Sequence, residues 1–142
     1  MKKLLLLVLF TIGILTACSP SNNALVINDV WARPASAGEN GAAYFVIDNG
    51  TTSDDVLLSV SSDIANASEV HMSMADGNGV MSMAMQEMVE IPARSKVEFK
   101  TGGLHVMFIA LNRDLKVGDS FSLVLNFKNS GNTTIEVVVR EY

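Results

Sequence analysis

A single antiparallel β-sandwich is the fold this 142-residue chain predicts, and three observations carry the expectation. Apolar and polar residues alternate with a period of two: Phe121, Leu123, Leu125 and Phe127 stand against Ser120, Ser122, Val124 and Asn126. That is the pattern of strands with one buried face. Turn chemistry recurs at short intervals, and no helical stripe of eight or more residues follows the N-terminal segment. About eight short strands separated by such turns, in a chain of this length, favour a sandwich over a barrel.

The elements justify themselves in chain order. Met1-Lys2-Lys3 leads into the apolar stretch from Leu4 to Leu15, which is too short for the ~20 residues a bilayer span needs and has the layout of a secretory leader. Residues 1–17 read as that leader. Leu15-Thr16-Ala17-Cys18 resembles the lipobox of bacterial lipoproteins, so Cys18 is expected to be lipidated and to open the mature chain. By the same resemblance Ser19, which is not Asp, points to the outer membrane if the cell is Gram-negative, and residues 18–23 form a short polar tether. Residues 24–142 are then one domain, without a repeat or a low-complexity block. Asn49-Gly50, Asp76-Gly77-Asn78-Gly79, Pro92, Gly102-Gly103, Gly118-Asp119 and Ser130-Gly131-Asn132 supply the turns. Between them Val97 to Lys100 and Thr134 to Arg140 repeat the strand alternation.

Charge and cysteine usage remove several function classes. The chain carries 10 basic and 15 acidic residues, and losing Lys2 and Lys3 with the leader leaves 8 against 15, a net charge of −7. Such a surface argues against nucleic acid as a partner. Cys18 is the only cysteine. With it taken by lipid, the domain has no thiol, which excludes disulfides, zinc-thiolate sites, cysteine nucleophiles and the blue-copper site. No Ser-His-Asp arrangement, paired catalytic acids or phosphate-cradling glycine loop is legible, so the chain is not expected to be an enzyme.

Chemistry concentrates in the methionines and histidines. Six methionines fall between Met72 and Met88, namely Met72, Met74, Met81, Met83, Met85 and Met88, and the seventh outside the leader is Met107. Both histidines of the chain border these segments, as His71-Met72 and His105-Val106-Met107. Residues two apart in a strand share a face, so His105 and Met107 project together. The Asp76–Gly79 turn should fold Met81, Met83 and Met85 back beside the His71 strand, giving one thioether-lined face. Imidazole with thioether is a soft, neutral donor set suited to Cu(I), whereas calcium, magnesium and manganese want oxygen ligands. Methionine is also a flexible core filler and a component of adaptable binding faces. A copper site, a peptide-binding face and simple packing are therefore all open on these residues alone.

At the same residues the sequence resembles the periplasmic copper chaperones called PCu(A)C, cupredoxin-like domains with the signature His-Met, ten residues, Met, twenty-one residues, His-x-Met. Here His71-Met72 is followed by the ten residues Ser73 to Ser82, then Met83, then the twenty-one residues Ala84 to Leu104, then His105-Val106-Met107. Trp31-Ala32-Arg33-Pro34, Ala42-Ala43-Tyr44, Ile91-Pro92-Ala93, Gly102-Gly103-Leu104-His105 and Leu115 with Gly118-Asp119 extend the likeness over about residues 24 to 140. The resemblance implies a cupredoxin-like sandwich that binds Cu(I) through His71, Met83, His105 and Met107. Met72 belongs to the signature but should face away from His71, and Met81 and Met85 are candidates to substitute for Met83; these three are possible secondary contacts. The resemblance further implies delivery of copper to an extracytoplasmic partner for assembly of a haem–copper oxidase centre. That partner would be the oxidase copper subunit or a thiol-bearing copper chaperone. The alternative is a storage module that holds several copper ions on its methionines.

Overall fold

The computed structural model describes residues 23–77 and 79–141. The expected leader, lipobox and all but the last residue of the tether lie outside the described residues. Among the described residues there is no helix, and ten strands follow one another: β1 (Leu25–Ala32), β2 (Gly41–Asn49), β3 (Asp55–Ser61), β4 (Ala65–Ala75), β5 (Met81–Met85), β6 (Val89–Ile91), β7 (Ser95–Phe99), β8 (Leu104–Leu111), β9 (Ser120–Phe127) and β10 (Gly131–Val139). They form a single hydrogen-bonded ladder in the order β5-β4-β8-β7-β2-β1-β10-β9-β3-β6, with β8 also pairing β2. Pairing is antiparallel except for β1 with β10 and a single contact of β7 with β8.

One ladder still makes a sandwich, because the sheet curls until its two halves share a core. Phe108 on β8 and Phe121 on β9 stand far apart in sheet order, yet their rings meet edge-on with centroids 5.3 Å apart. Phe45, Phe108, Phe127, Leu57, Leu123, Leu125, Val106 and Val137 are all almost completely buried in that one core. Each contributes roughly 1.5–3 kcal/mol by leaving water. The alternation expected along β9 holds residue for residue: Phe121, Leu123, Leu125 and Phe127 are inside.

Strand parity in β2 decides what faces outward at the future site. Ala43, Phe45 and Ile47 enter the core, so Ala42, Tyr44 and Val46 point to the other side of the sheet. In β1 the backbone turns left-handed at Asp29 (φ 52°) and the register against β2 shifts by one between Asn28 and Trp31. This bulge places Trp31 opposite Tyr44 rather than opposite Ala43. The two rings pack at 4.6 Å on the outer face, with Arg140 over Trp31 at 5.3 Å and Arg33 over Tyr44 at 5.6 Å.

Two buried polar residues close the end opposite this aromatic row. Asn49 Nδ2 donates to the carbonyls of Ser53 and Ile91, while its Oδ1 accepts from Thr51. Asp55 accepts four hydrogen bonds, from the backbone N–H groups of Val56, Asn129 and Ser130 and from the Ser130 hydroxyl, tying β3 to the β9–β10 turn. Burial pushes the Asp55 carboxyl up, but these donors together outweigh it and hold the group below its ordinary value. The folded chain therefore binds this proton less tightly than the unfolded chain. Its stabilisation is complete above the usual aspartate value of about 3.9 and is lost as pH falls below it. Asp55→Asn should cost about 1–3 kcal/mol at neutral pH, since an amide must oppose N–H donors. Urea unfolding at pH 7 and pH 3 checks this: the deficit should shrink at the lower pH, and an equal deficit at both would contradict it.

Candidate metal centre

The hairpin of β4 and β5 builds one wall of the candidate site. Asp76 closes its turn, with Val80 N–H donating to the Asp76 carboxylate at 2.8 Å and Asp76 N–H donating to the Val80 carbonyl at 2.9 Å. The resulting register sets His71 opposite Met85, Ser73 opposite Met83 and Ala75 opposite Met81. On the other side of β4, His71 stands opposite His105, and Glu69 opposite Met107. Directly opposed residues in an antiparallel pair have Cβ atoms about 4.5–5.5 Å apart and share a face. Glu69, His71, Ser73, His105, Met107, Met81, Met83 and Met85 thus form one outward surface at the open edge of the sheet.

Met72 lies on the other side of the sheet. It pairs with Leu104 and Ala84, and Leu104 packs on the core. Met74 shares that side by parity, opposite Ser82, and Met88 falls beyond β5.

In a flat ladder Met83 and Met107 would lie on opposite sides of the histidine row. In the folded chain Met81, Met83, His105 and Met107 all line one open depression of about 430 Å³ with Tyr44 and Arg33, whereas His71 stands opposite His105 in the register without lining it. Met85 instead lines a neighbouring depression with Glu69 and Gln86. The difference matters because Met83 and Met85 share a strand face and cannot be told apart by parity. Met83 is 62% exposed and Met85 55%, so both sulfurs are accessible.

The two imidazoles differ in setting. His105 is 6% exposed, at 6.5 Å from the Tyr44 ring. Its Nδ1 lies 3.0 Å from the Gly103 carbonyl, an acceptor only, so Nδ1 carries the hydrogen and Nε2 keeps its lone pair. His71 Nε2 lies 2.9 Å from Glu69 Oε2 and donates to it, so in the neutral imidazole Nδ1 is the nitrogen with the lone pair. That Nδ1 is buried and has no hydrogen-bond partner among the described residues. An orphaned buried nitrogen costs about 1–3 kcal/mol unless something else bonds it. The ring centroids of His71 and His105 are 6.0 Å apart. With imidazole–metal bonds of about 2.0–2.1 Å, two rings can face one ion at roughly that spacing.

The donor chemistry fits a soft ion. Among the described residues no group of three His, Cys, Asp or Glu side chains that could hold a metal ion occurs, and the side chains that share a face with the two imidazoles include thioethers. Glu69 is the feature the sequence reading passed over: the period-two rule places it on the face of His71, and a carboxylate touches the imidazole where only neutral groups were expected. Tyr44 and Trp31 were noticed only as framework. Tyr44 stands beside His105 by strand parity, and the Asp29 bulge, which no local pattern announces, sets Trp31 against it.

A ten-stranded, curled all-β domain that carries both histidines with Met81, Met83, Met85 and Met107 on one outward face is the class of protein defined here, and its fold is that of PCuAC domains. Residues 25–139 match the LpqE-like lipoprotein family, and the chain belongs to that family. The copper-bound PCuAC domain from PmoF2 superimposes with a TM-score of 0.70 at 24% identity, over 83% of this chain and 93% of that domain. CuI-DR1885 from Deinococcus radiodurans gives a TM-score of 0.62 at 25% identity, over 87% of this chain and 85% of that protein. An uncharacterized protein of Rickettsia prowazekii (strain Madrid E), RP573, is 29% identical over 125 residues, which are 84% of this chain and 68% of that protein.

Proposed function

We propose that this chain is an extracytoplasmic copper carrier that takes one Cu(I) as cargo through His71, Met83, His105 and Met107 and releases it to a partner by ligand exchange. The register that sets His71 against His105, with Met83 and Met107 sharing a depression beside them, carries the reading. Two imidazoles and two thioethers are neutral and soft, which favours Cu(I) over hard divalent ions. The likeness to a copper-bound domain and to a Cu(I) protein supports the same cargo. The buried, orphaned His71 Nδ1 is a nitrogen that binding would satisfy.

Release follows from position. Met83 lies on the edge strand β5 and is open to solvent, whereas His71 and His105 sit on the inner strands β4 and β8, so an incoming thiolate can displace one thioether before the histidines let go. A thiol-bearing chaperone or an oxidase copper subunit would supply such a ligand, and assembly of a haem–copper oxidase centre is the destination we infer. No catalytic step is assigned. Competition titration with a chromogenic Cu(I) chelator should give one Cu(I) per chain, bound far more tightly than Zn(II), without the intense blue band of a copper thiolate. Equal Cu(I) and Zn(II) affinity would overturn the proposal.

A second reading rests on exposure. Met74, Met81, Met83, Met85 and Met88 are all more than half exposed, which suits a storage surface for several ions. A stoichiometry above one Cu(I) per chain, with no transfer to a thiolate acceptor, would favour it.

The lipoprotein family supports attachment to the cell envelope at Cys18, with the copper face turned toward the periplasm and the outer membrane as the anchor's home in a Gram-negative cell. Two acyl chains give the stable anchoring that one does not. Cys18→Ser should move the protein from the detergent phase to the aqueous phase, and wild-type protein already in the aqueous phase would exclude the anchor.

A further inference from the structure

We infer that Glu69 is a positioning residue for copper binding, and that it makes the two histidines present opposite nitrogens, His71 through Nδ1 and His105 through Nε2. The inference rests on the copper-carrier reading above and goes beyond its choice of residues to the atoms that bond.

The two histidines lie opposite each other in the register but are held from different sides. The Gly103 carbonyl, 3.0 Å from His105 Nδ1, can only accept, so it takes the Nδ1 hydrogen and leaves Nε2 as the donor to a metal. The Glu69 carboxylate, 2.9 Å from His71 Nε2, can likewise only accept when ionised, and it fixes the hydrogen on Nε2. The nitrogen left free is His71 Nδ1, which is buried without a partner among the described residues. A carboxylate on the remote nitrogen of a metal-binding imidazole fixes the tautomer and ring orientation and raises the basicity of the bonding nitrogen. Glu69 can do this because strand parity gives it the face of His71, and because its side chain is only one-third exposed. Met107 stands across from it on β8, so the carboxylate is set into the same surface as the thioethers.

Nitrogen-15 NMR on the full chain in detergent micelles, labelled at histidine, tests this, first without metal and then with Ag(I), a soft monovalent ion whose nuclear spin couples to the nitrogen it touches. Without metal, His71 should show a protonated Nε2 and a bare Nδ1, and His105 the reverse. Glu69→Gln, whose amide oxygen can still accept, should keep that pattern. Glu69→Leu should lose the His71 Nε2–H protection and bind Cu(I) about 10–100-fold more weakly, against less than tenfold for Glu69→Gln. On loading with Ag(I), coupling and the large shift should fall on His71 Nδ1 and His105 Nε2. Coupling on His71 Nε2, with its bond to Glu69 broken, would overturn this inference and leave the carrier reading standing. Silver bound with no change at either His71 nitrogen would remove His71 from the ligand set and overturn both.

Discussion

Replacing His105 by alanine is expected to weaken Cu(I) binding by more than ~100-fold, since altering a group that merely orients a ligand already costs about 10–100-fold. His105 is the less replaceable nitrogen. It is buried beside Tyr44, its tautomer is fixed by the Gly103 carbonyl, and the depression it lines holds no other imidazole. A lost thioether at this edge has neighbouring sulfurs to take its place; a lost nitrogen here has none. Alanine also leaves a gap beneath the Tyr44–Trp31 pair, so His105→Gln, which restores most of the volume but offers an amide, separates folding from binding. Both variants should lose Cu(I) in competition with a chelator while keeping a cooperative urea transition. Affinity within a few-fold of wild type in a folded His105→Gln protein would remove His105 from the site.

How much of this was legible in the sequence follows from which interactions are local. The Asp76–Gly79 turn and the alternation around it are local, so the β4–β5 hairpin and the shared face of His71, Met81, Met83 and Met85 could be read directly, as could the core face of β9. Parity also put Met72 on the opposite side from His71. Pairing at long range could not be read this way. The parallel contact of β1 with β10, the curling of one ladder into two facing halves, and the three-residue strand β6 depend on partners distant in the chain, so about eight strands were expected where ten form. The Asp29 bulge is decisive for Trp31 and Tyr44, and nothing in Asn28-Asp29-Val30 demands it. Glu69 is two residues before His71 in a strand and so shares its face, but a carboxylate is a hard oxygen donor and stands outside the soft set of imidazole and thioether that marks a Cu(I) site. The spacing of the signature names Met83 over Met85, because parity cannot separate the two; that Met83 lines the depression with His105 while Met85 lines one with Glu69 is a property of the assembled sheet.

Leucine substitutions at the methionines should divide into two groups. Met83→Leu and Met107→Leu are expected to weaken Cu(I) binding by about tenfold or more, which is ~1.4 kcal/mol of lost bonding each. Met74→Leu and Met88→Leu should leave it within about twofold, close to the additive error of distant sites. Leucine keeps the apolar volume and removes only the sulfur, at a fold cost usually below ~1.5 kcal/mol. At Met74, Met83 and Met88, each more than half exposed, even that cost should be small. The division follows from placement: Met83 and Met107 line the depression with His105, whereas Met74 lies on the far side of the hairpin and Met88 beyond its end. Met85 is the discriminating control. It stands opposite His71, about 6.5–7 Å along the strand from Met83, and could slide into the role of Met83. On the four-ligand reading Met85→Leu alone should have little effect, but combined with Met83→Leu it should remove the affinity a substitute sulfur had preserved. Chelator competition across the single variants and this double variant decides the matter. Equal losses at Met74, Met83, Met85, Met88 and Met107 would mean that no sulfur is privileged, and a diffuse storage surface would replace the single carrier site.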